Sequence, residues 1–426
     1  MDVRRGAPPD GVETGRRTTT LSGGTQVTGL SIIGWVLLPP VGCIAFFQLF
    51  YLIHSFGVRT DPRPAVRTGQ PTLSQRQISV VIPVFNEGRT LYRCLHSLSQ
   101  SDLCSCAKVV VVLDRCTDDS ELIAKSFVDT FAAAGVEMAV EHLPADTSGK
   151  VAGLLYGGSK IDTKTALLLD ADIVLEPTAL QELWTFHQES NADFTACLIL
   201  PLQERRGTLV SHVVCNNRLY RQSVLQSVRN RFGMSNFPGG LQLVDYKKYR
   251  DLLEHGFLED LTATYRAVSE GSQVRILPRV LAREVERQTI RGLFLQRVRW
   301  TLGTIQHIPM QVRTARSRKD WNEKISIYSY HVMWEFQYYV MVIAAMLAPW
   351  QGTVWPVFLA PYVLYVLQIV RSAVLTRNHY KNSVPGIAAH CALFPSIITT
   401  ALFAAVGLLV VKRKAFFSSV LLFRRN

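Results

Sequence analysis

Asp170 and Asp172 stand directly behind the apolar run Ala166-Leu167-Leu168-Leu169, and two other short runs of the same kind also lead into acids. Ile78-Ser79-Val80-Val81-Ile82 runs into Pro83-Val84-Phe85-Asn86-Glu87, and the Val-rich run 108–113 ends on Asp114 and an acidic turn through Asp119. Carboxylates gathered at neighbouring strand ends repel one another unless a cation or hydrogen-bond donors sit between them. Hard oxygen ligands suit Mg²⁺ or Mn²⁺, and the oxygens of a diphosphate would complete the shell. An isolated Asp-x-Asp is common in turns and helix caps; the buried run immediately before Asp170 is what points to a ligand here.

Three further stretches carry chemistry. Lys150 follows Gly149 at the start of a helical segment, 151–159, where an ammonium can meet a phosphate as a point charge or simply face water. Glu259 and Asp260 open a helical segment that stops at Gly271, and an N-cap Asp would by itself account for that pair. Gln296-Arg297-Val298-Arg299-Trp300 lies in a strongly basic stretch, with Arg291, Arg313, Arg316, Arg318, Lys319 and Lys324 against Asp320 and Glu323. Such a stretch reads as an amphipathic helix on anionic lipid headgroups, Trp300 being its interfacial anchor.

The elements that must position these residues alternate. Apolar β-branched runs at 78–82, 108–113, 138–143 and 165–169 are separated by helical segments at 90–100 and 120–134, which predicts a mostly parallel sheet covered on both faces. Ligands of such sheets sit beyond the carboxyl ends of the strands, where the acids above are found.

The chain has 426 residues, 48% of them hydrophobic and only 19% charged, with a net charge of +13. The charge is unevenly spread: no Lys, Arg, Asp or Glu occurs at 30–53, 336–370 or 382–411. A helix needs about 20 residues to cross hydrocarbon, and the middle run breaks at Pro349-Trp350-Gln351-Gly352, so four spans are expected. The first is too long for the hydrophobic stretch of a signal peptide and reads as an anchor. The division is a tail (1–29), an anchor (30–57), a Pro-rich linker (58–76), an α/β domain (77–287), an interfacial region (288–325), a C-terminal membrane region (326–411) and a basic tail (412–426). Eight cysteines without a CxxC pair read as scattered reduced thiols. Excess positive charge beside membrane spans belongs to lipid headgroups, which excludes nucleic acid as a partner.

In their order, Ser79 to Glu87, Asp114, Asp170-Ala171-Asp172, Glu259-Asp260 and Gln296 to Trp300 resemble the inverting family 2 glycosyltransferases of GT-A fold. The membrane-embedded branch is similar too: cellulose, chitin, hyaluronan and poly-N-acetylglucosamine synthases, and ceramide glucosyltransferases. The resemblance covers residues 77–302. It implies a Rossmann-like GT-A domain in the cytosol, one N-terminal and about three C-terminal transmembrane helices, and a multi-pass protein of the plasma membrane. It further implies that Pro83, Asn86, Glu87 and Asp114 hold the uridine of a UDP-sugar, that Lys150 and Arg299 meet its diphosphate, and that Asp170 and Asp172 bind ribose and metal. Asp260, beside Glu259, would be the general base, with Gln296 and Trp300 on the acceptor. Leu258, where cellulose synthases carry Thr, and Phe237-Pro238-Gly239-Gly240 depart from the synthase pattern.

The reading preferred from sequence is extension of a polysaccharide or oligosaccharide, with self-association supplying further helices to line a path. The alternative is one-sugar transfer to a membrane lipid. A silent scaffold would have lost one of the motif residues, and a transporter would need polar or broken helices at the midplane, for which only Glu335 stands out. Positive-inside reasoning sets Lys412-Arg413-Lys414 against an even count of crossings and marks the segment around Pro395 as a candidate re-entrant turn.

Overall fold

The computed structural model describes residues 31–58, 77–103, 106–203, 207–232, 239–254, 258–319 and 321–411. The two tails and the linker, apart from Val58, lie outside the described residues, as do Cys104, Phe237 and Pro238.

The strands are β1 (Ile78–Val84), β2 (Cys106–Leu113), β3 (Glu137–His142), β4 (Thr165–Leu169), β5 (Ile173–Leu175), β6 (Phe194–Pro201), β7 (Leu241–Asp245) and β8 (Val274–Glu284). They form one sheet in the order β3-β2-β1-β4-β7-β6-β8-β5. The four strands expected from the apolar runs pair in parallel. β7 enters antiparallel between β4 and β6, and β8 runs parallel to β6 but antiparallel to β5.

Helices cover both faces, which is why the central strands are apolar throughout. Leu91, Cys94, Leu95 and Leu98 of the helix Gly88–Ser99 recur at helical spacing and bury one face. Leu154 of the helix Lys150–Gly158 packs with Val81, Ala166 and Leu168 on the other. The single helix expected at 120–134 is two, Ser120–Ser126 and Val128–Ala133, divided at Phe127, whose ring turns into the core.

Among the described residues four helices are long and apolar enough to cross a membrane: Ile32–Ser55, Ile327–Trp350, Gly352–Leu375 and Val384–Val411. The last is one continuous helix through Pro395, long enough to cross, where the sequence marked a candidate re-entrant turn. Pro395 cannot donate to the carbonyl of Cys391 four residues earlier. Tyr362 from the neighbouring span donates its hydroxyl to that carbonyl instead, which removes the reason for a break. The spans are joined by a polar seam: Gln48 Nε2 donates to Gln337 Oε1 (3.1 Å), Gln368 Nε2 to the Gln48 carbonyl (2.6 Å), and the Tyr51 and Ser329 hydroxyls bond at 2.8 Å. Tyr220, on the helix Leu209–Tyr220 of the α/β domain, donates to Gln368 Oε1 (2.6 Å) and ties that domain to the bundle.

Candidate active site

The carboxyl ends of β1, β2 and β4 open on one crevice. Beside it lies a cavity of about 200 Å³ lined by Lys150, Asp170, Asp172, Glu259, Asp260, Gln296, Arg299 and Trp300, so eight of the residues singled out in the sequence face one space. They arrive from four places: Lys150 from a helix start, the Asp pair from the β4–β5 turn, Glu259-Asp260 from the start of the helix Glu259–Ser269, and the Gln296–Trp300 stretch from the helix Ile290–Ser317.

Gly149 holds φ +91°, a conformation that favours glycine, and its N–H donates to Asp114 Oδ2 at 2.6 Å. The other Asp114 oxygen accepts from Arg115 Nε at 2.9 Å. Asp114 therefore braces the turn that delivers Lys150. The Lys150 ammonium lies 2.7 Å from Asp170 Oδ1 and 3.1 Å from Glu259 Oε1, and donates to the Gly239 carbonyl at 3.0 Å. Burial would push this ammonium down, but the two carboxylates outweigh it and hold it well above its usual range. Lys150, expected on a diphosphate, here cross-links the β4 end to the Glu259–Ser269 helix.

Glu87 and Asn86 sit just beyond β1, Asn86 with φ +53° and its Oδ1 accepting from the Thr117 N–H at 2.7 Å. Pro83 is within β1, against Gly153. These residues flank the cavity rather than line it, and Glu87 reaches it through its charge on Asp172.

Asp172 has no hydrogen bond or ion pair from its side chain to the described residues. Burial first, then the charges of Asp170 and Glu87, push it up to about 7, against a smaller pull from Arg218 and Arg287. Asp170 already holds the Lys150 ammonium, so Asp172 is the member of the pair left for a divalent cation. Among the described residues no three His, Cys, Asp or Glu side chains surround a common point. The protein would thus supply Asp170 and Asp172 and leave the other positions to phosphate oxygens and water, as Mg²⁺ sites commonly do.

Asp260 does not cap its helix. Leu258 occupies the N-cap without a side-chain bond, and Asp260 lies in the first turn. Burial, then the Glu259 charge, raise its carboxyl to about 7 despite Lys150. Gly239 leaves room for it: a Cβ there would come within 2.7 Å of Asp260 Oδ2. Gly239→Ala should cost about tenfold in kcat with the melting temperature little changed, since sub-ångström displacement of a reacting group is expensive; wild-type kcat would mean that Asp260 tolerates the shift.

Of the two arginines in the Gln296–Trp300 motif, Arg299 is exposed at the cavity and bonds to none of the described side chains, whereas Arg297 is buried beneath it. Its fork is free to bind two oxygens. Arg299→Lys should therefore lose about 10²-fold in kcat, close to Arg299→Ala, because a point charge does not reproduce a bidentate contact. Near-wild-type turnover of the Lys variant would remove Arg299 from the chemistry. Gln296 lines the cavity, and its Oε1 is buried without a partner among the described residues. Trp300, expected to offer an open face, is covered by the guanidinium groups of Arg297 (4.3 Å to the ring centroid) and Arg221 (4.7 Å).

The cavity also holds residues that sequence reasoning passed over. Arg218 forms ion pairs with both Glu284 and Glu286, which lie at and just past the end of β8. Two acids at spacing two beside Arg287 were the visible signal, but β8 itself was not foreseen.

The sequence model of the family described as "Glycosyltransferase like family 2" matches residues 75–303. The chain belongs to this family. No curated protein sequence matches the glycosyltransferase. Its fold is similar to that of the mannosyltransferase PcManGT from Pyrobaculum calidifontis, solved in complex with GDP-Man and Mn²⁺, at a TM-score of 0.53 and 15% identity, over 88% of this chain and 98% of that one. Weaker similarity extends to S. aureus TarS 1-349 in complex with UDP-GlcNAc (TM-score 0.41, 13% identity, 78% and 92% covered). Glucosyl-3-phosphoglycerate synthase from Mycobacterium tuberculosis gives a TM-score of 0.41 at 17% identity, with 60% and 85% covered. The glycosyltransferase thus combines a GT-A-like mixed sheet with four helices fit to cross a membrane.

Proposed function

We propose that this glycosyltransferase transfers the sugar of a UDP-sugar, with inversion, to a hydroxyl of a membrane lipid, its α/β domain facing the cytosol. The observation that carries this reading is the single cavity in which Asp260, Arg299 and the Asp170–Asp172 pair meet Trp300 together with Tyr330 and Trp334 of the candidate span Ile327–Trp350. Asp260 takes the proton of the acceptor hydroxyl as the new glycosidic bond forms. Arg299, whose charge reaches Asp170 and Glu259 in the same cavity, stabilises the departing diphosphate. Lys150 and Glu259 keep Asp170 and Asp260 at fixed separation. When bound between Asp170 and Asp172, a divalent cation would supply Lewis-acid stabilisation of the leaving group.

Lipid is favoured over the polymer reading by the packing between the spans. Tyr51, Tyr220, Tyr338, Tyr365 and Phe394 are fully buried there. Tyr338 sets its ring edge-on to Tyr365 at 5.5 Å and to Phe394 at 5.3 Å, and Tyr220 to Tyr365 at 5.7 Å. A growing glycan would have no passage through rings packed this closely.

The test is the product. UDP- and GDP-sugars, radiolabelled and supplied one at a time to native membranes, should yield a UDP-dependent product that partitions into organic solvent with one sugar per lipid. A large water-soluble glycan would overturn the lipid assignment in favour of polymer synthesis.

A further inference from the structure

Beneath the Gln296–Trp300 motif the cavity wall carries two arginines that nothing in the reaction above uses. Arg221 and Arg297 are 6% and 5% exposed, so each is more than nine-tenths buried, and both line the cavity. Arg221 Nε and Nη2 and Arg297 Nε have no hydrogen-bond partner among the described residues. Both guanidinium groups lie over the Trp300 ring, and that of Arg221 also lies against Trp334. Buried guanidinium N–H groups without acceptors are costly, and aromatic faces offset only part of that cost.

The local charges do not neutralise them. Of the acids nearby, Glu286 is held by Arg218, and Glu335 accepts from the Thr301 hydroxyl. Neither forms an ion pair with Arg221 or Arg297, although both act on Arg297 from a distance. Burial and the like charge of Arg297 push Arg221 well down, and burial pushes Arg297 down to about 10. The backbone is adapted to this wall as well. Arg221 opens a π-helical turn, Arg221–Gln226, and Trp334 lies within a second, Val332–Phe336; such turns re-aim side chains and recur at functional sites.

Tyr330 links this pocket to the base, being within electrostatic reach of both Asp260 and Arg221 and lining the same cavity. An acceptor whose hydroxyl rests on Asp260 therefore extends toward two cations with no ion pair among the described residues. Resting on the lipid-transfer reading above, we propose that Arg221 and Arg297 form an anion pocket and that the acceptor is a hydroxyl-bearing phosphate ester, a phospholipid headgroup being the membrane form of that chemistry. A phosphate oxygen accepting from both guanidinium groups would satisfy N–H groups that no described residue meets.

The experiment uses the full chain reconstituted in phosphatidylcholine vesicles, with the donor found in the product screen and three acceptors: phosphatidylglycerol, diacylglycerol and soluble glycerol phosphate. Phosphatidylglycerol should exceed diacylglycerol by about 10–100-fold in kcat/KM, the range expected for hydrogen bonds to a charged group. That ratio should collapse in Arg221→Gln and Arg297→Gln, with Arg297→Lys keeping part of it; melting temperatures identify the folded variants. Transfer to either phosphate ester supports the pocket, and the better of the two names its source. Equal use of diacylglycerol by the wild type, or an unchanged ratio in the folded Gln variants, would overturn it. Donor turnover without phosphate preference defeats the pocket alone, whereas no turnover of any donor defeats the transfer reading itself.

Discussion

Asp260→Asn should lower sugar transfer by about 10²–10⁴-fold, the range for loss of a positioned general base, while leaving donor binding and melting temperature near those of the wild type. Asn keeps the shape of the side chain, and the helix loses no cap because Leu258, not Asp260, is at the N-cap. The pH profile gives a second readout. With the carboxyl raised to about 7 by burial and Glu259, the base is protonated in acid and ionised above neutrality. kcat/KM should therefore climb about tenfold per unit as pH rises toward 7 and then level off. Lys150 and Asp170 also act on this carboxyl, and it acts in turn on Tyr249 and Tyr330; burial holds Tyr249 well above this window. The rising limb should vanish in the Asn variant. Retention of both transfer and limb would show that another group removes the proton.

Chelation of divalent ions should be about as damaging. Charge stabilisation by a metal is worth several kcal/mol, roughly 10²–10⁴-fold in rate, and the Asp172 carboxyl has no cation bonded to it among the described residues. Transfer measured in excess EDTA should fall by that amount and return with Mg²⁺ or Mn²⁺. Full turnover in EDTA would mean that Lys150, Arg299 and the other arginines neutralise the diphosphate by themselves, and that the Asp pair serves the donor through hydrogen bonds alone.

Much of this architecture is legible in the sequence because burial writes itself into composition. The cores of β1, β2 and β4 are apolar on both faces, and the four candidate spans carry only Glu335 and Arg371 as charged residues, so both stand out without knowledge of their partners. β5 has three residues, and β7 and β8 pair with strands distant in the chain; their existence depends on contacts that no local pattern announces. The site follows the same division. Asp170, Asp172, Glu259, Asp260 and the Gln296–Trp300 stretch sit at element ends or in a compact motif, where type and spacing are informative. Arg218 and Arg221 lie in a helical stretch whose sequence carries no motif, and Glu284 and Glu286 at a strand end that had to be found first. That Arg297 is buried and Arg299 exposed depends on which face of the Ile290–Ser317 helix meets Phe394 and the last span, a tertiary fact.

The glutamine seam across the spans has a consequence for how the protein is made. Gln48 bonds to Gln337, 289 residues later in the chain, and a ribosome adding about 5–20 residues per second needs roughly 15–60 s to cover that interval. Throughout that time the first span stands in the bilayer with a primary amide lacking its native acceptor, at a cost of up to several kcal/mol. Gln337 and Gln368 then arrive on successive helices and close the seam together. Nascent chains arrested before Gln337 should consequently be cleared faster than completed ones, and Gln48→Leu should lengthen their lifetime while weakening the finished bundle. The amide that locks the mature protein would mark the unfinished one for membrane quality control.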